Sequence, residues 1–170
     1  MKENHGAVTF QGNPLTLLGN RVTEGEKAPA FSLSGNDMSP ITLADYSGKV
    51  LVLVTVPSLD TPVCDLEVRR FNQEAGSLGE NIEILVASMD LPFAQARWCG
   101  AAGIDRVRTA SGHLSSSFGE DYGLLIKELR LLARSVMIID GNGILRYSQL
   151  VTEVAQEPDY ESVLKALKSL

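Results

Sequence analysis

The residues most able to do chemistry are two cysteines, Cys64 and Cys99. Cys64 ends the stretch Pro57-Ser-Leu-Asp60-Thr61-Pro62-Val63-Cys64. Thr61 followed by Pro62 is a helix-start signal: a capping side chain, then a residue whose missing N–H costs nothing in the first turn. Cys64 is then the third helical residue. Free backbone N–H groups and the positive end of the helix dipole favour a thiolate at that position, lowering the pKa from its reference of roughly 8.5. Asp65 and Glu67 act in the opposite sense, so a further cation is required. Cys64 is therefore a candidate nucleophile. Cys99, in Trp98-Cys99-Gly100, is on its own as well explained by packing as by chemistry.

The spacing of these residues also narrows the chemistry. No Cys-x-x-Cys is present, which removes a thioredoxin-type dithiol motif. Zinc would require Cys64, Cys99, His5 and His113 to converge from scattered positions, so no metal site is expected, and the histidines are read as solvent-exposed. A disulfide framework of the secreted kind belongs to shorter chains with more cysteines.

Several elements must position Cys64. Val50 to Val56 are β-branched residues, leucine and one threonine without polar alternation, which suits a strand covered on both faces, and Pro57 ends it. Val68, Phe71, Ala75 and Leu78 recur at helical spacing, so a helix over 62–78 packs one face on the sheet. A second strand is expected at 82–87, then a short helix from Pro92 carrying Cys99 and ending at Gly100. Val107 to Thr109 suggest a short strand, 113–118 a short helix, and 123–132 a loop or hairpin whose leucines pack or meet a subunit. Two apolar runs, 135–139 and 144–148, flank Asp140-Gly-Asn-Gly143 and predict a β-hairpin. A final helix follows Pro158, with Tyr160, Val163, Leu164 and Leu167 on one face. Val8 to Phe10 and Leu15 to Leu18 form a hairpin at the N-terminus, around Gly12-Asn-Pro14. The order strand-helix-strand-helix, antiparallel hairpin, helix is that of an α/β thioredoxin-like fold, here with an added N-terminal β-hairpin at about 8–18.

A chain of 170 residues with 44% apolar and 21% charged residues fits one soluble globular domain spanning 1–170. A net charge of −6 argues against nucleic acid or an anionic membrane as partner, since either calls for a concentrated basic face. No apolar segment approaches the ~18 residues needed to span a bilayer, and the start lacks the apolar core of a secretory signal, so a cytoplasmic protein is expected.

Pro57-x-x-x-Thr61-x-x-Cys64, with Arg134 opening a later strand, resembles the active-site set of the peroxiredoxins. More narrowly, Phe10 to Pro14, Ser58 to Thr61, Val68-Arg-Arg-Phe71-Asn72, Asp90 to Gln95, Trp98 to Gly100 and Glu157 to Tyr160 resemble the bacterial thiol peroxidases, the atypical two-cysteine branch. The resemblance implies that Cys64 is the peroxidatic cysteine, attacking a hydroperoxide to give a sulfenic acid. It implies that Cys99 is the resolving cysteine of the same subunit and that thioredoxin reduces the resulting disulfide. It further implies a homodimer, a preference for alkyl hydroperoxides, and no metal or organic cofactor. Arg134 can supply the missing cation and orient peroxide oxygens, Thr61 can cap the helix and hydrogen-bond thiolate or peroxide, and Pro57 can shield the pocket. This chain has Pro62, and Asp65-Leu66-Glu67, where the family often has small residues, and Pro62 should stiffen the helix start. Joining Cys64 to Cys99 should require the first turn after Thr61 to unwind, because a disulfide needs Cα atoms within about 7 Å. The competing reading is a non-catalytic thioredoxin-fold redox sensor or interaction module. It leaves the convergence of Pro57, Thr61 and Arg134 on one thiol unexplained.

Overall fold

A computed structural model describes all 170 residues. Its centre is β5 (Val50–Thr55), the apolar run expected to be covered on both faces. Leu51 and Leu53 point into one core and Val52 and Val54 into the other, and all four are sealed from solvent. Alternation at period two is present, but both phases are apolar because neither face meets water.

Around it runs a seven-stranded sheet in the order β11-β10-β5-β6-β7-β3-β4. Its other strands are β3 (Ser32–Ser34), β4 (Pro40–Thr42), β6 (Ile82–Ser88), β7 (Arg108–Ser111), β10 (Ser135–Ile139) and β11 (Leu145–Leu150). β5, β6 and β7 are parallel, and β10 lies antiparallel on the other side of β5. Helices α1 (Pro62–Ala75) and α4 (Tyr160–Lys168) cover one face, with Val68, Phe71, Val163 and Leu167 packed on Val52, Val54 and Val136. Trp98, from α2 (Pro92–Ala102), packs on the same cluster.

The other face is closed by a unit that was only half visible in the sequence. The N-terminal hairpin is β1 (Glu3–Phe10) and β2 (Asn13–Leu18), longer than expected, and it turns at Gln11 and Gly12, both at positive φ, with Asn13 and Pro14 already in the strand. β2 continues into β8 (Leu125–Ile126) and β9 (Leu131–Leu132), making a separate four-stranded sheet. The leucines of 124–132 therefore join this second sheet. Leu17, Ile126 and Leu132 pack with Phe31, Leu53 and Met137, and with Phe118 of the short helix α3 (Ser117–Asp121).

Two helix ends differ from expectation. α1 stops at Ala75, short of Leu78, with Gly76 as its cap. α2 runs through Gly100 and ends at Gly103, whose φ of 68° is the left-handed conformation that terminates a helix. Gly100 keeps ordinary helical backbone, so composition at that position was a poor stop signal.

Candidate active site

β5 and β10 are paired in the register Thr55 to Ser135. Thr55 Oγ1 donates to the Ala133 carbonyl at 2.7 Å, which leaves the Ser135 hydroxyl to donate to Thr55 Oγ1 across 2.8 Å. This buried pair fixes the strand ends against each other. The residue just before β10, Arg134, consequently stands beside the loop that leads from β5 into α1.

Cys64 is the third residue of α1, as expected, and is fully buried. Arg134 Nη2 donates to Cys64 Sγ at 3.2 Å. The guanidinium is itself 1% exposed and held on three sides. Its Nη1 donates to Glu67 Oε2, and Nε and Nη2 donate to the Val154 carbonyl at 3.2 and 2.9 Å. Burial works against its charge, but Glu67 and Cys64 outweigh that, and Arg134 is held above the usual arginine range.

Glu67 was expected only to oppose the thiolate, and here the structure corrects the reading. Its side chain is fully buried one turn beyond Cys64, and its partner is Arg134. Burial pushes its carboxyl up to about 7, against the pull of the Arg134 charge and hydrogen bond. Glu67 Oε1 has no partner. Asp65, by contrast, points away from the sulfur and accepts from Arg69 Nε at 2.8 Å and from Trp98 Nε1 at 3.0 Å. Helical spacing carries both facts, since Glu67 and Cys64 lie three apart on one face. The missing signal was how deeply that face would be buried.

Thr61 occupies the N-cap position with extended backbone, but its hydroxyl makes no cap bond and donates to the Ser58 carbonyl at 2.9 Å. The side-chain cap expected from the sequence is thus absent, and Pro62 at the first helical position does the helix-start work. Pro57 is buried two residues past the end of β5. Asp90, quoted in the sequence only as part of a motif, anchors this loop. It accepts from Ser58 Oγ at 2.7 Å, Leu59 N at 2.9 Å and Ser88 Oγ at 2.7 Å, tying the β5–α1 loop to the end of β6. A surface cleft of about 300 Å³ opens beside the start of α1, between Leu59, Thr61, Pro62 and Trp98. The largest cavity, about 520 Å³, lies at the opposite end of β5 near Lys27, Tyr46 and Gly141 and includes none of these residues.

The structure does not bring Cys99 to this cluster. Both cysteines are free thiols. Cys99 is half-buried on α2 and its sulfur meets Thr109 Oγ1 of β7 at 3.6 Å. Burial pushes its thiol up, with a smaller opposing effect from Thr109. His5 is exposed as expected, whereas His113 is half-buried and 3.1 Å from Ser111 Oγ.

The redoxin family model matches residues 23–164, and thus most of the chain. The chain belongs to the redoxin family. This redoxin is 50% identical to a thiol peroxidase of Bacillus subtilis over 96% of its own length and 97% of that protein's. It is 53% identical to a thiol peroxidase of Oceanobacillus iheyensis over 94% and 97% of the two lengths. Among solved structures, a peroxiredoxin-like protein from Aquifex aeolicus superposes with a TM-score of 0.91 at 38% identity, covering 99% of both chains. A thiol peroxidase from Chromobacterium violaceum, at 21% identity over 99% and 98% of the two chains, shares the fold with a TM-score of 0.86. This redoxin is a thiol-dependent peroxidase with a thioredoxin-like fold and an N-terminal hairpin. No helix of it is long and apolar enough to cross a membrane.

Proposed function

We propose that this peroxidase reduces hydrogen peroxide and organic hydroperoxides at Cys64, with Cys99 as the resolving thiol. The observation that carries the assignment is the hydrogen bond from buried Arg134 to the Cys64 sulfur at the first turn of α1. A guanidinium and free helix N–H groups are fixed donors in a water-poor site, and such preset donors act most strongly where negative charge develops.

In the first step the Cys64 sulfur attacks the terminal oxygen of the hydroperoxide. An S–O bond forms, the O–O bond breaks, and the alkoxide or hydroxide that leaves takes a proton from water. Arg134 faces the sulfur with its fork of N–H groups and stabilises the oxygen charge as it grows. Thr61 donates its own proton to Ser58, so its oxygen is left to accept the hydroperoxide O–H. Pro57 closes the floor of the site beside β5. In the second step Cys99 attacks the sulfenic sulfur, the S–OH bond breaks, and its oxygen leaves as water with the proton of the Cys99 thiol. A thioredoxin then reduces the disulfide by exchange. Such a cycle suits the reducing cytoplasm. A homodimer is part of the same proposal.

Stopped-flow mixing of the reduced protein with cumene hydroperoxide tests it. Rapid stoichiometric peroxide loss that vanishes in Cys64→Ser is expected. Cys99→Ser should keep the first turnover and stop cycling with thioredoxin, and a small-molecule thiol rate in the wild type would remove the assignment.

A further inference from the structure

The residue after Cys64 is bonded to the residue before Cys99. Trp98 Nε1 donates to Asp65 Oδ1 at 3.0 Å, while Asp65 Oδ2 accepts from Arg69 Nε at 2.8 Å. The same arginine donates from Nη1 to the Ala102 carbonyl at 3.2 Å, in the last turn of α2, and its guanidinium carbon lies 5.9 Å from the Trp98 ring centre. One carboxylate and one guanidinium on α1 thus grip α2 by its indole and by its C-terminal end. Bonds to ionised partners are the stronger kind, and a cation at a helix C-terminus is favourably placed.

We propose that Asp65 is a positioning residue of the resolving step: through Trp98 and Arg69 it holds the two cysteine-bearing helices in the reduced arrangement and so slows disulfide closure. The proposal rests on the assignment of Cys64 and Cys99 made above. Adjacent residues of an α-helix lie about 100° apart around its axis. With the Trp98 indole committed to α1, the Cys99 sulfur is turned to Thr109, and the Cys64 sulfur faces Arg134. Closure demands that both sulfurs leave these partners and that their Cα atoms come within about 7 Å. The bond that closes the first turn of α1 is Asp65 N–H to the Thr61 carbonyl, 3.0 Å. Unwinding the turn that carries Cys64 therefore displaces Asp65 itself, and the grip on Trp98 must be released with it.

The grip sets a competition at oxidised Cys64. Attack by the Cys99 thiol forms the S–S bond and releases water. Attack on a second hydroperoxide instead transfers another oxygen, giving a sulfinic acid and an alcohol or water, and ends the cycle. A tighter grip lengthens the wait in the sulfenic state and favours the second outcome.

The test uses reduced full-length protein and hydrogen peroxide, with quenched samples read by intact mass spectrometry for sulfenic acid, disulfide and sulfinic acid. Trp98→Phe keeps an aromatic ring and removes the donor, and Asp65→Asn keeps an acceptor and removes the charge that holds Arg69. First-order closure should be roughly fivefold faster in Trp98→Phe, the factor equivalent to one ordinary hydrogen bond, with Asp65→Asn between it and wild type. The peroxide concentration that converts half of Cys64 to sulfinic acid should rise by the same factor. Closure as slow as wild type, or slower, in both variants overturns the role of Asp65 while leaving the peroxidase cycle standing. A wild type that never joins Cys64 to Cys99 overturns the cycle's second step and this proposal together.

Discussion

Cys64 is sealed from solvent and touched by a buried guanidinium at 3.2 Å, whereas Cys99 is half-buried and meets a threonine hydroxyl at 3.6 Å. The contrast extends outward from each sulfur. Arg134 is fixed by Glu67 and by the Val154 carbonyl, and the loop bearing Val154 is in turn fixed to the N-terminal hairpin by Thr9 N to Thr152 O at 2.7 Å and Val154 N to Thr9 O at 2.8 Å. A chain of bonds therefore runs from β1 to the Cys64 sulfur. Cys99 instead sits on a helix with exposed Gly100 beside it and a grip on α1 through partly exposed side chains. The difference suits the division of labour proposed above, in which one sulfur meets peroxide in a preset field and the other moves to join it.

The largest expected effect comes from removing the cation. Arg134→Met should lower the second-order rate with hydroperoxide by about 10²–10³-fold, the usual loss when one preset donor is removed. It also leaves Glu67 buried without its partner, which by itself can cost about 3–5 kcal/mol of stability. The double variant Glu67→Gln, Arg134→Met separates the two effects. It should regain much of the stability, measured by urea midpoint, and recover none of the peroxide rate. Recovery of rate without the guanidinium would end the contrast drawn between the two sulfurs.

The fold around Cys64 was legible because it is written in unusual local patterns, an apolar run without alternation at 50–56 and a Thr-Pro helix start, whereas Arg134 was reached only through the resemblance to the peroxiredoxins. The second sheet was not, since β8 and β9 are two residues each, and only their pairing with β2 makes them strands. Periodicity carries no information at that length. The role of Glu67 was hidden for a different reason. A glutamate in a first helical turn and a half normally faces water, and its burial follows from a tertiary neighbour 67 positions away in the chain. Asp90 was hidden likewise, because two of its three donors, Ser58 and Leu59, come from the β5–α1 loop, 32 and 31 positions earlier in the chain.

Glu67 gives the next effect and a pH dependence with a definite sign. In the unfolded chain its carboxyl loses a proton near 4.5, whereas in the folded protein burial beside Arg134 delays this to about 7. The folded state therefore holds one more proton across that window, and stability falls as pH rises through it. Glu67→Gln abolishes this contribution. The stability of the variant relative to wild type, from urea unfolding at pH 5, 6, 7 and 8, should improve steadily and level off above about 7. A flat difference would mean that Glu67 is ionised throughout and that Arg134 fully compensates its burial.

Gly100 sharpens the Cys99 side. It is helical and exposed, and a Cβ built there meets nothing within 4 Å. Gly100→Ala should therefore stabilise α2 by about 0.5–1 kcal/mol, seen as a higher melting temperature. If α2 must loosen for Cys99 to travel, the same change should slow disulfide closure by up to roughly fivefold, the rate equivalent of that energy. Stabilisation with unchanged closure would show that α2 moves as a rigid body.

The smallest effect should come from the far end of the Cys64 brace. Glu153 accepts from Thr9 Oγ1 at 2.6 Å, Gln11 N at 3.0 Å and Gly12 N at 3.3 Å, so one carboxylate holds the hairpin turn against the loop that carries Val154. These bonds lower its own pKa, which marks the ionised form as the one the fold uses. Glu153→Gln keeps one acceptor oxygen and loses the charge, so a small loss of stability is expected, seen as a slightly lower melting temperature. The carbonyl of Val154 stays bonded to Arg134 but is less firmly backed, and the peroxide rate should drop only about twofold, well under the loss in Arg134→Met. An unchanged rate with lowered stability would place the end of the brace at Val154 and leave the hairpin as a cover for the core alone.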